Sequence, residues 1–535
     1  RKEAIQMPLK FETNLGKFIK LPNPGLRSYL NVVKNGQPDE YRTPFYKGKS
    51  PQEIIAMWNQ ELSVLETEWP TLYEFEVDLG KKVGPMSIML PLEERLDDIS
   101  SYYDLISKDQ DPISEEAIYQ TLHEWKQIAG LRIRSQDRVV DLMKKSTNSG
   151  SPYFTKRRQV VKESVNTNVI SEGESAYRLT KSGYLAAAVL GWRGQEGGPN
   201  TDDVKQRVVW MFPFEVNIME LQVYQPLIEA TQKFNIVPAW VSMDNVDLRI
   251  TAMFDTKEES DVVICTDFSK FDQHFNESCQ SAAYKILSAL LTDSADSSHW
   301  LANVFPIKYN IPLIISEDQI VVGKHGMGSG SGGTNADETI VHRALQYEAA
   351  LSANQILNPN SQCLGDDGVL TYPGCTVEDV VRTYTAHGLE MNPSKQYVSK
   401  QDCTYLRRWY HDQYRVDGVC RGVYSTNRAL GRLAEQERYY DPALWSKEMV
   451  ALRQLSIIEN TKWHPMREEF ADFCMKGDKY RLGLDIPGFF DNLGKITQSA
   501  IEHIPDFLGY VKSMQEDDIS VGIENWWIVN YLKSK

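Results

Sequence analysis

Asp366 and Asp367 follow Gly365 in SQCLGDDGVLTYPG, between two short apolar runs, a pattern that predicts a hairpin with two carboxylates at its tip. Adjacent like charges repel unless a cation lies between them, and a divalent metal ion is the usual answer. Asp267 ends the apolar run VVICTD, 99 residues before Asp366, where a buried strand would hold its backbone rigidly. Alone, Asp267 reads better as a strand-end or helix-capping residue. Paired with Asp366 and Asp367, it completes a set of hard oxygen ligands. Carboxylates at the tips of neighbouring strands can hold two Mg2+ ions about 4 Å apart, activating a hydroxyl and stabilising a leaving pyrophosphate in an in-line displacement. Magnesium, with manganese as its substitute, suits a set that offers no soft donor.

Between these carboxylates lies GKHGMGSGSGGTNADE (323–338), with six glycines in its first eleven residues. So little side-chain bulk lets a loop approach a sugar or a backbone closely, and the helix that follows could favour an anion. A phosphate-cradling P-loop would need a Lys after the last Gly, where Thr334 stands. Gly328, Gly330 and Gly333 do meet the dinucleotide fingerprint GxGxxG. They lack a suitable acidic residue about 20 positions on, and the surroundings are not a βαβ series.

The elements that must position these residues are legible in part. VVICTDF (262–268) reads as a buried strand. YNIPLIIS and QIVVGKHG predict two strands joined by a Ser-Glu-Asp turn, followed by a helix over 334–352. KQRVVWMFP predicts a strand on which Lys205 and Arg207 share one face. Ser50-Pro51-Gln52-Glu53 is a capping box that predicts a helix over 51–67. Residues 115–147 are helical in pattern. The last 125 residues read as mainly helical, with Asp441-Pro442 capping a helix that carries Trp445, Met449, Leu452 and Leu455 on one face.

Composition bounds the class. A chain of 535 residues exceeds one simple core, so several subdomains are expected, and 41% hydrophobic with 24% charged residues is ordinary for a soluble globular protein. The net charge of −15 argues against a general nucleic-acid coat protein, though not against an enzyme with a local basic channel. Seven cysteines without a CxxC pair predict neither a disulfide framework nor structural zinc, and hence a reducing compartment. No apolar run is long enough to predict a membrane anchor.

Asp267-x4-Asp272, then Ser329-Gly330-x-x-x-Thr334-Asn335, then Gly365-Asp366-Asp367 resemble motifs A, B and C of viral RNA-dependent RNA polymerases, in order. Within that family the chain is most similar to the picobirnavirus branch, with partitivirus enzymes as near relatives. Lys205-x-Arg207 resembles motif F, Lys395 the motif D lysine, and Thr404–Tyr410 the motif E hairpin. The resemblance implies an α+β right-hand fold closed by an N-terminal arm. It places the arm at 1–60, fingers at 61–215 and 276–325, palm at 216–275 and 326–411, and thumb and C-terminal region at 412–535. It implies catalysis by Asp267, Asp366 and Asp367 as Mg2+ ligands, with Asp367 the most peripheral and Lys395 as general acid. Lys205, Arg207, Asp272, Ser329, Thr334 and Asn335 would bind nucleotide. Gly330, Arg407 and Arg408 would contact RNA. Template and nascent RNA, ribonucleoside triphosphates and a viral capsid protein are the implied partners, and the virion interior and host cytoplasm the implied location.

One position departs from the motif. Where many relatives carry an Asn four residues after the motif B Thr, this chain has Glu338, which leaves Thr334, Asn335 and Ser329 as candidate partners of Asp272 in reading the ribose 2′-hydroxyl. We expect Asn335 to share that task. Two other functions compete: a reverse transcriptase, disfavoured by Asp272 at the sugar gate and Leu364-Gly365 before the aspartates, and a dinucleotide-dependent oxidoreductase using 328–333.

Overall fold

Val263–Thr266 forms a strand with all four residues buried, which is why its sequence runs continuously apolar instead of alternating. It is an interior strand of a four-stranded antiparallel sheet in the order Gln362–Leu364, Asp367–Leu370, Val263–Thr266, Tyr397–Ser399. Helix Thr334–Ser352 is tied to this sheet by its own side chains. Gln346 Nε2 donates to the carbonyls of Gln362 (2.9 Å) and Val369 (3.4 Å), and Arg343 Nη1 donates to the Ser361 carbonyl (2.7 Å). The packing is close enough that a Cβ on Gly368 would lie 2.6 Å from the His342 ring.

The computed structural model describes residues 9–441, 443–503 and 522–535. It divides into two compact units: unit 1 holds Arg1–Gly36, Leu90–Trp192 and Val208–Leu406, and unit 2 holds Gln37–Met89, Arg193–Arg207 and Arg407–Lys535. Residues 61–89, expected among the fingers, therefore group with the C-terminal region. The start of the expected N-terminal arm, Pro442 and part of the C-terminal region lie outside the described residues.

A five-stranded sheet is ordered Lys10–Glu12, Ile320–Val322, Leu313–Ile314, Ala188–Gln195, Lys205–Met211, and belongs to unit 1 except for Arg193–Gln195 and Lys205–Arg207. The predicted pair around the Ser-Glu-Asp turn is present, with Leu313 opposite Val321. The predicted helix over 115–147 is broken into Glu115–Glu124, a 3-10 turn Lys126–Ile128 and Gln136–Leu142. Gly130, at φ +90°, ends the first stretch, and the Ser135 hydroxyl accepts from the Arg138 N–H to start the last. Helical periodicity persists across the gap because both pieces bury one face, so the pattern alone hid the break.

Unit 2 is built on a core that includes Trp58, Leu62, Trp409, Leu430, Leu452, Leu455, Phe470 and Leu532. Ser50 caps the helix, its hydroxyl accepting from the Glu53 N–H at 3.2 Å, and the helix runs Pro51–Leu62 before a short helix Leu65–Glu68. The helix expected from Asp441-Pro442 begins instead at Lys447, where Ser446 supplies the cap, so Trp445 precedes it while Met449, Leu452 and Leu455 are buried. No helix among the described residues is long and apolar enough to cross a membrane.

Within unit 2 a two-residue strand pair joins Tyr41–Arg42 to Glu435–Gln436. Burial, then the neighbouring Glu40 carboxylate, pushes the Glu435 carboxyl up to about 9, against the pull of Arg42. In the unfolded chain the same group ionises near about 4.3. The unfolded state therefore releases the proton first, so this contribution to stability is present below about 4.3 and is lost as pH rises through 9. The denaturation midpoint of wild type should fall between pH 5 and 9, and Glu435→Gln should flatten that slope. Equal slopes for the two proteins would rule out the carboxyl pair as its source.

Candidate active site

The Gly365 peptide is held at both ends by the helix beneath it. Its N–H donates to Thr339 Oγ1 (2.9 Å) and its carbonyl accepts from His342 Nδ1 (2.8 Å). A carbonyl can only accept, so the imidazole must carry its proton on Nδ1. Burial pushes the His342 pKa down to about 4, which keeps the ring neutral at ordinary pH. Gly365 sits at φ +58°, a turn conformation that favours glycine, and turns Asp366 out to solvent while Asp367 stays half-buried. Asp367 Oδ2 accepts from the Leu406 N–H at 2.8 Å.

Asp267 lies at the same end of the neighbouring strand. Thr266 pairs with Gly368, so the residue after Thr266 falls beside the residue before Gly368, which is Asp367. The Gln396 side chain closes on the backbone there: its Oε1 accepts from the Asp267 N–H (2.7 Å), and its Nε2 donates to the Asp267 carbonyl (3.0 Å). The Asp267 carboxylate remains exposed. Hard carboxylate oxygens presented by adjacent strand ends fit a divalent ion that takes its other ligands from water and substrate phosphate. Among the described residues, no three His, Cys, Asp or Glu side chains converge into a metal cluster by themselves. A site filled by one or two carboxylates plus substrate is consistent with that.

The glycine loop is pinned rather than free. A Cβ on Gly330 would lie 1.6 Å from the Trp210 carbonyl oxygen, and one on Gly333 would lie 2.3 Å from the Tyr224 ring. The close approach read from the sequence is thus made, at these positions, to the chain's own atoms. That also removes the dinucleotide reading, because the faces of the fingerprint glycines are already filled. Glu220 accepts from the Ser331 hydroxyl, from the Gly332 N–H (3.0 Å) and from Asn217 Nδ2 (3.1 Å). Burial holds the Glu220 carboxyl above its usual range, against the opposing pull of Lys308. Beyond the loop, buried Asp337 pairs with Lys308 Nζ (3.0 Å) and accepts from the hydroxyls of Tyr224 (2.7 Å) and Tyr309 (2.6 Å).

Asp267, Asp272, Ser329, Gly330, Thr334, Asn335, Asp366, Asp367 and Lys395 belong to unit 1; Lys205, Arg207, Arg407 and Arg408 belong to unit 2. Lys205 and Arg207 are exposed on one face of their strand, while Gln206 between them donates to the Ile88 carbonyl (2.9 Å). Lys395 is exposed in a 3-10 turn one residue before Gln396. Arg407 is exposed. Arg408, expected on the RNA backbone, is instead buried with its guanidinium over the Tyr424 ring, 5.8 Å from the centroid. Burial takes it out of the set that could reach a phosphate.

Sequence reasoning missed Thr339, His342, Gln396, Asn217 and Glu220. A signal existed for the first two: Asn335, Thr339 and His342 form a polar stripe at i, i+4 and i+7 along a helix that is otherwise mostly buried. Gln396 and Glu220 carried none, because their partners are remote in sequence.

Residues 91–428 match the family model described as viral RNA-dependent RNA polymerase. A curated protein of human picobirnavirus (strain Human/Thailand/Hy005102/-), described as a potential RNA-dependent RNA polymerase, is 62% identical over 525 residues, covering 97% of this chain and 98% of that one. The chain is also similar to the crystal structure of a human picobirnavirus RNA-dependent RNA polymerase, with TM-score 0.93, 62% identity, and 97% and 98% of the two chains covered. An insertion-loop deletion mutant of such an enzyme matches with TM-score 0.91 and 61% identity over the same shares.

Proposed function

This chain belongs to the viral RNA-dependent RNA polymerase family and is an RNA-directed RNA polymerase, and from that premise we propose how its residues divide the reaction. The observation that carries the proposal is the placing of Asp267 beside the Asp366-Asp367 turn, at one end of two adjacent strands whose backbones are held by Gln396, Thr339 and His342. Asp267 and Asp366 present exposed carboxylates and are the ligands we assign to Mg2+, with Asp367 in support because one of its oxygens is engaged by Leu406. When bound, Mg2+ would lower the pKa of the primer 3′-hydroxyl and neutralise charge on the departing pyrophosphate. The carboxylates fix where the attacking oxygen and the α-phosphate meet, which is the positioning part of the catalysis. On the exposed face of their strand, Lys205 and Arg207 supply the cations that we assign to the triphosphate. Lys395, exposed on its turn, is the proposed proton donor to pyrophosphate.

The N-terminal arm, fingers, palm and thumb are assigned on the same footing. Support for an arm comes from the segment itself, whose residues to Gly36 belong to unit 1 and from Gln37 to unit 2. A double-stranded viral genome is the natural template for the replication and transcription proposed.

Incubating the chain with single-stranded or double-stranded RNA, Mg2+ and competing ribonucleoside and deoxyribonucleoside triphosphates, with and without a primer, should give complementary RNA. Incorporation of deoxyribonucleotides in preference would instead indicate a reverse transcriptase, and absence of incorporation on every template would overturn the reading.

A further inference from the structure

One side chain pairs with both main-chain groups of Asp267. The Gln396 amide accepts from the Asp267 N–H through Oε1 (2.7 Å), while its Nε2 donates to the carbonyls of Asp267 (3.0 Å) and Asn392 (2.9 Å). An N–H can only donate and a carbonyl can only accept, so these partners fix which way the amide points. The register explains why a side chain is used. Tyr397 pairs with Cys265, so in an antiparallel ladder the rung opposite Asp267 would fall to Lys395. The chain is not extended there: Pro393–Lys395 is a 3-10 turn, and the Lys395 N–H donates to the Asn392 carbonyl (3.0 Å) instead. Gln396, 9% exposed, makes the missing rung with an amide that offers the same donor and acceptor as a peptide. On the far side of the turn, the Ser269 N–H donates to the Glu390 carbonyl (2.9 Å), so the two segments are tied twice.

Asp267 follows an interior strand with a neighbour on each side, whereas Lys395 stands on an exposed turn, so the turn is the part with freedom to move. We propose that Gln396 is a positioning residue for nucleotidyl transfer: it hangs the turn that carries Lys395 on the backbone of Asp267, and so fixes the ammonium group relative to the carboxylate end of the sheet. Gln396 acts through Lys395. In an in-line displacement the proton donor must meet the departing pyrophosphate as the attacking oxygen meets the α-phosphate, and a misplacement of about 1 Å costs on the order of a hundredfold in rate. The inference rests on the polymerase reading above and on Lys395 as its proton donor.

The test combines single-nucleotide incorporation with hydrogen exchange of the free protein. Gln396→Ala should lower the maximal rate by about tenfold or more and leave KM for the nucleotide within about threefold, because it disturbs a proton donor and not a binding contact. Gln396→Glu keeps the size of the side chain but cannot donate to the two carbonyls, so it should be impaired as well; a role in packing alone would leave it near wild type. In a Lys395→Ala background the further change Gln396→Ala should cost no more than about threefold, since both residues serve one proton transfer. Without substrate or metal, peptides covering residues 262–270 and 389–397 should exchange faster in Gln396→Ala by about tenfold, as the shared rung is lost. Should the alanine variant not fold, Gln396→Asn, an amide one methylene short of both carbonyls, takes its place in each measurement. A glutamate variant at the wild-type rate, fully additive losses in the double variant, a Lys395→Ala protein at the wild-type rate, or unchanged exchange in both peptides would each overturn the assignment of Gln396. A wild-type chain that incorporates no nucleotide would overturn the polymerase reading itself, whatever the exchange shows.

Discussion

Replacing Asp366 by Ala is expected to lower RNA synthesis by roughly a thousandfold or more while leaving the fold largely intact. The two halves of that result come from the same geometry. Asp366 is exposed at the tip of a turn, and the hydrogen bonds that shape the turn are made by the Gly365 peptide to Thr339 and His342. Removing the Asp366 carboxylate therefore breaks none of them, and it relieves the repulsion that Asp366 exerts on Glu338. What is lost is a hard oxygen at the place where charge develops in the transition state. Asp367 gives a different pattern, because its carboxylate also receives the Leu406 N–H, so its removal should cost stability as well as rate. The check is the single-nucleotide incorporation rate beside a melting curve for each variant. An Asp366→Ala protein working within tenfold of wild type would remove this carboxylate from the reaction.

The second large effect is on stability and belongs to unit 2. Glu76 is fully buried, and its carboxylate receives five donors: the Ser425 hydroxyl, the N–H and hydroxyl of Thr426, the Asn427 N–H (3.2 Å) and His464 Nε2 (2.9 Å). Three of these residues open helix Thr426–Ala434 or cap it, so the carboxylate also sits at the positive end of a helix dipole. Burial alone would push this carboxyl up, but the His464 and hydroxyl hydrogen bonds outweigh it and hold the carboxyl below its usual range. Glu76→Ala strands those donors in the core and should cost about 3–5 kcal/mol. Denaturant unfolding followed by tryptophan fluorescence is well placed to see it, since Trp58 Nε1 donates to Thr426 Oγ1 (2.8 Å) in the same cluster. A group whose folded pKa is depressed contributes stability above its unfolded value of about 4.3 and loses it as pH falls through the folded value. Wild type should therefore lose stability toward acid, and Glu76→Ala should lose less of it. A midpoint unmoved by the substitution would show that solvent reaches these donors.

What could be read in advance was what depends on near neighbours along the chain. The strand ending at Asp267, the Asp366 turn and helix Thr334–Ser352 all formed at the positions read from the sequence, because apolar runs, turn glycines and helical spacing act over a few residues. Where a local pattern ran on past its end, the reading overshot, as in the helix over 115–147 that Gly130 and Ser135 divide.

By itself, then, the sequence determined the order of the motifs and which carboxylates a polymerase would present. Tertiary structure alone decided what each polar group faces: Trp240 on Asn335, Glu220 on the glycine loop, Gln396 on the backbone of Asp267, and the Tyr424 ring on Arg408. Most of these pairs are joined across long separations in the chain, and periodicity carries no information about partners at that range. They are chosen by the requirement that a polar group leaving water find a partner, which is met only once the remote segments have packed together.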